Sequence, residues 1–184
     1  MAYQNATRKA SGPRRLWRCT LGASAVELAL VLPLFLGLVG GIIEAGWLMT
    51  KQSMVDRAVS NAARFVYTGA ATADDSITGD TIEAFICEEA AVIANCAENI
   101  ALDLTVINTF SSIPTDDAEC REHDLDFEPS VSFEPGNSSE VVYMRVCVTT
   151  KILMPLLGLG FALSKTDLGN YQFSSGFAFA NEPF

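Results

Sequence analysis

The stretch CTLGASAVELALVLPLFLGLVGGIIEAGWLM, Cys19 to Met49, decides how the rest of the chain is read. Residues 28–43 carry no charge. With Ala45 to Met49 the apolar zone, interrupted by Glu44, reaches the length that crosses a bilayer core at about 1.5 Å per residue. The span is expected over about residues 28–49, with Trp47 suited to the far interface. Pro33 removes a backbone donor and predicts a bend. Gly37, Gly41 and Ala45 fall four apart, a seam of small residues where helices can approach closely. Two glutamates bracket the run. A charge deep in lipid costs on the order of 2.5–3.5 kcal/mol, so each needs a partner or a way out. For Glu44 both a partner within a complex and snorkelling to the far interface are open, and snorkelling is preferred.

Charge divides at the same place. Arg8, Lys9, Arg14, Arg15 and Arg18 give +5 before Gly22, with no acid among them. Beyond Gly22 stand 7 basic and 22 acidic residues, a net charge of −15. The positive-inside rule puts the basic head in the cytoplasm and the acidic part across the membrane. An acidic domain has no electrostatic footprint for nucleic acid. A cleavable secretory signal would need a small-residue site after the apolar run, whereas "ASA" at Ala23 to Ala25 comes before it. Arg14 and Arg15 fit a twin-arginine signal poorly. Of five cysteines, Cys19 lies in the head, while Cys87, Cys96, Cys120 and Cys147 lie in the acidic part. An even number across a membrane points to disulfides. Zinc is disfavoured, because no CxxC pair exists and the single histidine, His123, stands alone.

Beyond the membrane, Val55, Ala58, Val59, Ala62 and Val66 share one helical face, so a single helix is expected from Ala23 to Tyr67, ended by Gly69. GAATADDSITGD reads as a linker. DTIEAFICEEAAVIANC has a helical pattern with Asp80 as its N-cap. In one unbroken helix Cys87 and Cys96 would lie about 13 Å apart, whereas a disulfide needs less than about 7 Å. Either the helix breaks near Val92 to Asn95 or the two do not pair. Leu102, Leu104 and Val106 alternate as a strand. EVVYMRVCVTTK is the strongest strand, apolar on both faces. Tyr171, Phe173, Phe177 and Phe179 mark the last, and Phe127 to Phe133 offers a shorter one. The expected class is α+β: a long N-terminal helix packed on a small antiparallel sheet. ILMPLLGLGFAL, Ile152 to Leu163, is too short to span a bilayer. A buried loop is preferred over an apolar surface for a partner or lipid headgroups.

A basic leader, Gly22, Glu27 at the fifth position after it and an apolar helix resemble a type IV prepilin. The finer resemblance is to TadE-like minor pilins of the tight-adherence (Flp) pilus. It rests on Gly22, Glu27, Leu28, Ala29, Leu30 and Pro33, then Gly41, Ile42, Ile43, Glu44 and Gly46, then Ala62, Ala63 and Arg64. The closing FANEPF is similar too. The resemblance implies cleavage between Gly22 and Ala23 by a prepilin peptidase, and insertion in the inner membrane. It also implies incorporation into, or priming of, a Flp pilus beside the major pilin, companion minor pilins and an assembly platform. After such a cut Ala23 carries a free ammonium. Glu27 can then pair with the ammonium of a neighbouring subunit, lowering the cost of burying both and fixing axial register. Closely spaced cysteines recur in similar proteins, which implies a Cys87–Cys96 bond and leaves Cys120–Cys147 as the second.

The expected organisation is a leader over 1–22, a pilin helix over 23–68, a linker over 69–79 and a periplasmic domain over 80–184. No catalytic, cofactor or metal site is expected. The acidic stretch from Asp116 to Glu128 lacks the glycine and spacing of a calcium loop, and GLGFAL lacks the third glycine of a dinucleotide fingerprint. His123 has no nucleophile motif. NSS at Asn137 reads as a chance sequon. The rivals are a pseudopilin of another filament machine, such as type II secretion, and a signal-anchored periplasmic ligand-binding domain or enzyme.

Overall fold

The computed structural model describes residues 23–73, 77–109, 111, 113–114, 119–122 and 129–183. His123 and the greater part of the acidic stretch lie outside them, as do Gly22 and the basic head. One helix, α1, runs unbroken from Ala23 to Tyr67, through Pro33. It ends at Gly69, which takes a φ of 76° and donates its N–H to the Val66 carbonyl at 3.0 Å. Glycine reaches that left-handed conformation without a Cβ penalty. The linker expected next contains a short helix, α2 (Ala70–Ala73).

Helix α3 (Gly79–Glu89) is capped two residues before Asp80, the cap that its sequence suggested. Its N-cap is Thr78, which exchanges hydrogen bonds with Thr81 in a capping box. The helix stops at Glu89, and Asn95, with a φ of 51°, opens α4 (Cys96–Asn99). That break brings the Cys87 and Cys96 Cα atoms to 5.6 Å, and the two are bonded. Three strands follow: β1 (Ile100–Ile107), β2 (Val141–Thr150) and β3 (Tyr171–Ala180), with the short helix α5 (Leu159–Ala162) before the last. They form an antiparallel sheet in the order β1-β2-β3. The shorter strand expected around Phe133 is reduced to a single parallel bridge from Phe133 to Leu104.

The register explains the core. Ile100, Leu102 and Leu104 stand opposite Val148, Val146 and Met144, and Val148 stands opposite Phe173. All of these are buried, together with Val55, Ala58, Val59, Ala62, Ala63 and Val66 of α1. Each fully buried valine or isoleucine contributes roughly 1.5–3 kcal/mol, and the alanines let the helix backbone come close to the sheet. Phe65 meets Phe85 of α3 edge-on at 5.0 Å. The opposite face of β2 is not the apolar face expected from its sequence. It carries Tyr143, Arg145, Cys147 and Thr149. Arg145 pairs with Asp103 across the strands at 3.2 Å, and Cys147 is bonded to Cys120 with Cα atoms 5.2 Å apart.

The outer edge of β1 is closed by polar groups. Leu102 N–H donates to Glu83 Oε1 at 2.9 Å, Leu104 N–H donates to the Ser132 carbonyl, and Glu134 N–H returns to Leu104. A covered edge cannot template pairing with another chain. Burial pushes the Glu83 carboxyl above the ordinary carboxylate range, against the pull of the Leu102 N–H and the Arg121 guanidinium at 3.4 Å.

Two predictions follow from this packing. A carboxyl raised in the folded chain holds its proton more tightly there, so its stabilisation is complete below the ordinary range and is lost as pH rises through the raised value. Thermal melting of Glu83→Gln should therefore lose part of the wild type's decline between acid and neutral pH. A parallel pair of curves would exclude Glu83 as its source. Opening either disulfide should cost roughly 2.5–3.5 kcal/mol in the chain-entropy model, read from denaturant midpoints of Cys87→Ser/Cys96→Ser and Cys120→Ser/Cys147→Ser. Midpoints equal to wild type would show that neither bond constrains the unfolded chain.

Candidate membrane anchor and assembly site

The first half of α1 has no fold to bury against. From Ala23 to Leu36 every residue is exposed, and Leu34 is 77% exposed. A helix apolar all round and uncovered by protein is built for lipid. Among the described residues this is the one helix long and apolar enough to cross a membrane, and it fits a single-pass anchor. Glu27 sits in its second turn, exposed, and makes no hydrogen bond or ion pair to another described residue. No other described residue therefore occupies its carboxylate.

Glu44 is the opposite case, and snorkelling is wrong for it. Its side chain is 0% exposed. One carboxylate oxygen accepts the Leu153 N–H at 3.0 Å and the other accepts the Met154 N–H at 2.8 Å. The partner is the segment from Ile152 to Leu163, folded back as a hairpin against α1. That segment is not the buried loop expected. Leu156 is 84% and Phe161 75% exposed. Only its inner side is covered, where Met154 lies under Gly40 and Gly158 under Gly41.

The small-residue seam is used, but by this hairpin. A Cβ on Gly158 would stand 2.5 Å from the Gly37 carbonyl oxygen and 2.6 Å from the Gly41 nitrogen. Gly158 also has a φ of 58°, so no side chain fits there on either count. Gly41 backs onto the Leu159 nitrogen, whereas Gly37 lends only its carbonyl and Ala45 remains half-buried.

One and two turns above Glu44, Trp47 and Lys51 mark the top of the anchor. The Lys51 Nζ stands 5.5 Å from the centre of the Trp47 ring and donates to Thr150 Oγ1 at 2.6 Å. Burial pushes the Lys51 ammonium down from its ordinary value, and the Glu44 carboxylate opposes that shift. At the far end of α1 the chain terminus supplies a second fastening. Glu182 N–H donates to the Tyr67 carbonyl at 2.9 Å. Buried Asn181 donates its side-chain N–H groups to the carbonyls of Pro135 and Asn137. The closing NEP is thus a clasp over the helix end, a role that the sequence alone did not indicate.

An α+β protein whose exposed, acid-bearing apolar helix fits a single-pass membrane anchor is the class that these features define. Residues 22–64 match the model of a family described as TadE-like protein, so the chain is TadE-like over that segment. No curated protein and no solved structure matches the chain.

Removing the Glu44 carboxylate should release the hairpin without unfolding the sheet. Hydrogen bonds to a charged group contribute about 1.5–3 kcal/mol each, so Glu44→Ala should speed amide exchange at Leu153 and Met154. Gly158→Ala should do the same by steric means, with exchange in β1 and β2 unchanged. Protected Leu153 and Met154 amides in both variants would show that the hairpin is held by something else.

Proposed function

We propose that the chain is a structural protein, a minor pilin or pseudopilin that primes, caps or supports assembly of a tight-adherence (Flp) pilus. The observation that carries this is the TadE-like match over residues 22–64, which includes Gly22 and an exposed helix whose Glu27 has no partner among the described residues. On this reading a prepilin peptidase cuts between Gly22 and Ala23 and leaves α1 as the membrane-held packing element. The leader is cytoplasmic and the sheet domain periplasmic, as the +5 head and the −15 remainder favour. The partners are the peptidase, the major Flp pilin, companion minor pilins and the inner-membrane assembly platform.

Glu27 then acts between subunits. With α1 uncovered in the single chain, a neighbouring helix can lie against it and set its Ala23 ammonium beside the carboxylate. Pairing offsets the cost of holding both charges in low dielectric and selects one axial register.

N-terminal mass spectrometry of membrane-extracted protein should find Ala23 first when the cognate peptidase is present, and Gly22→Leu should keep the leader. An intact leader in a piliated strain would end the pilin reading. Glu27→Gln should be processed and membrane-bound, yet piliation or recovery with pilus components should drop, since an unpaired buried charge costs about 3–5 kcal/mol. Normal pilus counts with fully processed Glu27→Gln would show that Glu27 is not an assembly contact.

A further inference from the structure

The hairpin from Ile152 to Leu163 is fastened to α1 at a depth that the anchor itself defines. Trp47 lies at the end of the apolar run. Gly41, which backs onto Gly158 and Leu159, stands six residues before it, or about 9 Å along the helix, and Gly37 about 15 Å. The tip of the hairpin therefore passes Trp47 and runs down beside residues expected within the hydrocarbon. Whatever solvent surrounds α1 at Gly37 to Gly41 also surrounds Leu156 and Phe161, which face away from the helix.

We infer that this hairpin is inserted in the outer half of the bilayer as a re-entrant collar on the anchor, its exposed side covered by lipid acyl chains. The inference rests on α1 being a membrane anchor.

Backbone in lipid must have its polar groups satisfied by protein, and part of the hairpin's backbone is satisfied in this way. The Leu153 and Met154 N–H groups go to Glu44. Leu157 N–H donates to the Met154 carbonyl and Leu163 N–H to the Leu159 carbonyl. The Pro155 carbonyl accepts from Lys165 Nζ at 2.9 Å, and Pro155 has no N–H to satisfy. This gives Glu44 a purpose within the membrane: it lines no surface of the anchor but seals two amides that lipid could not.

The charges agree. Beyond Gly22 the chain has only three lysines: Lys51 and Lys151 stand at the base of the hairpin, and Lys165 follows it and reaches back to the Pro155 carbonyl. In a part of the chain with a net charge of −15, Lys51 and Lys151 stand where anionic headgroups would lie. Trp47 beside Lys51 completes an interfacial belt.

The test is depth-dependent quenching of the full chain in phosphatidylcholine/phosphatidylglycerol vesicles with brominated acyl chains. Single tryptophans are placed in a Trp17→Phe/Trp47→Phe background: Phe161→Trp and Leu156→Trp in the hairpin, Leu34→Trp in the anchor, and Phe65→Trp far above the membrane. Leu34→Trp should be quenched and Phe65→Trp should not. Phe161→Trp and Leu156→Trp should emit to the blue and lose about half their intensity relative to unbrominated vesicles, as apolar side chains lodged in the acyl region do. If Leu34→Trp is quenched while both hairpin positions are unquenched and red, the hairpin lies in water and the inference fails alone. Hairpin emission that is blue yet unquenched marks a face covered by protein, which also overturns it. An unquenched Leu34→Trp removes the anchor reading and the inference with it.

Discussion

One helix must satisfy two solvents. Over its first half α1 fits a lipid-facing anchor and can be apolar on every side. Over its second half it has water on one side and a sheet on the other, and only one stripe can be apolar. Because the backbone is continuous from Ala23 to Tyr67, the sheet domain is carried rigidly on the anchor rather than tethered by a flexible linker. Every other feature is arranged along this rod. The stripe from Val55 to Val66 fixes the sheet, Glu44 fixes the hairpin, and the Tyr67 carbonyl receives the chain terminus.

The two glutamates in the apolar segment illustrate how the same cost can be met in different ways. Glu44 is satisfied inside the subunit, by amides that themselves need an acceptor. Neither group could be left unpaired in a low-dielectric setting without a penalty of several kcal/mol, so each stabilises the other. Glu27 has no such partner among the described residues and is exposed. A charge that the fold does not satisfy is available for contact between subunits, which is why the proposed assembly role falls to Glu27 and not to Glu44.

Outside the anchor the domain is held by fastenings between segments distant in sequence. Cys120–Cys147 pins the loop between β1 and β2 to the central strand, and Thr149 Oγ1 adds a hydrogen bond to the Arg121 carbonyl at 2.8 Å. Buried Glu122 accepts from Thr166 Oγ1 and Asn170 Nδ2, tying that same loop to the base of the hairpin. A sheet of only three strands has little core of its own, and these ties compensate for it.

The sequence by itself determined the long helix, the three strands and the class of fold, because each has a local signature. Helical period in Val55 to Val66, β-branched runs in Val141 to Thr150 and a glycine stop at Gly69 act over a few residues. It also determined the TadE-like resemblance, since Gly22, Glu27 and Pro33 fall at fixed spacings on one stretch. What only the tertiary structure decided was who meets whom over a hundred residues of chain. That Glu44 accepts from Leu153 and Met154, that Gly41 receives Gly158 rather than another helix, and that Asn181 clasps Pro135 and Asn137 are contacts with no local pattern. A buried polar group must find a partner, but the sequence states only the need; the fold brings the partner within 3 Å of it.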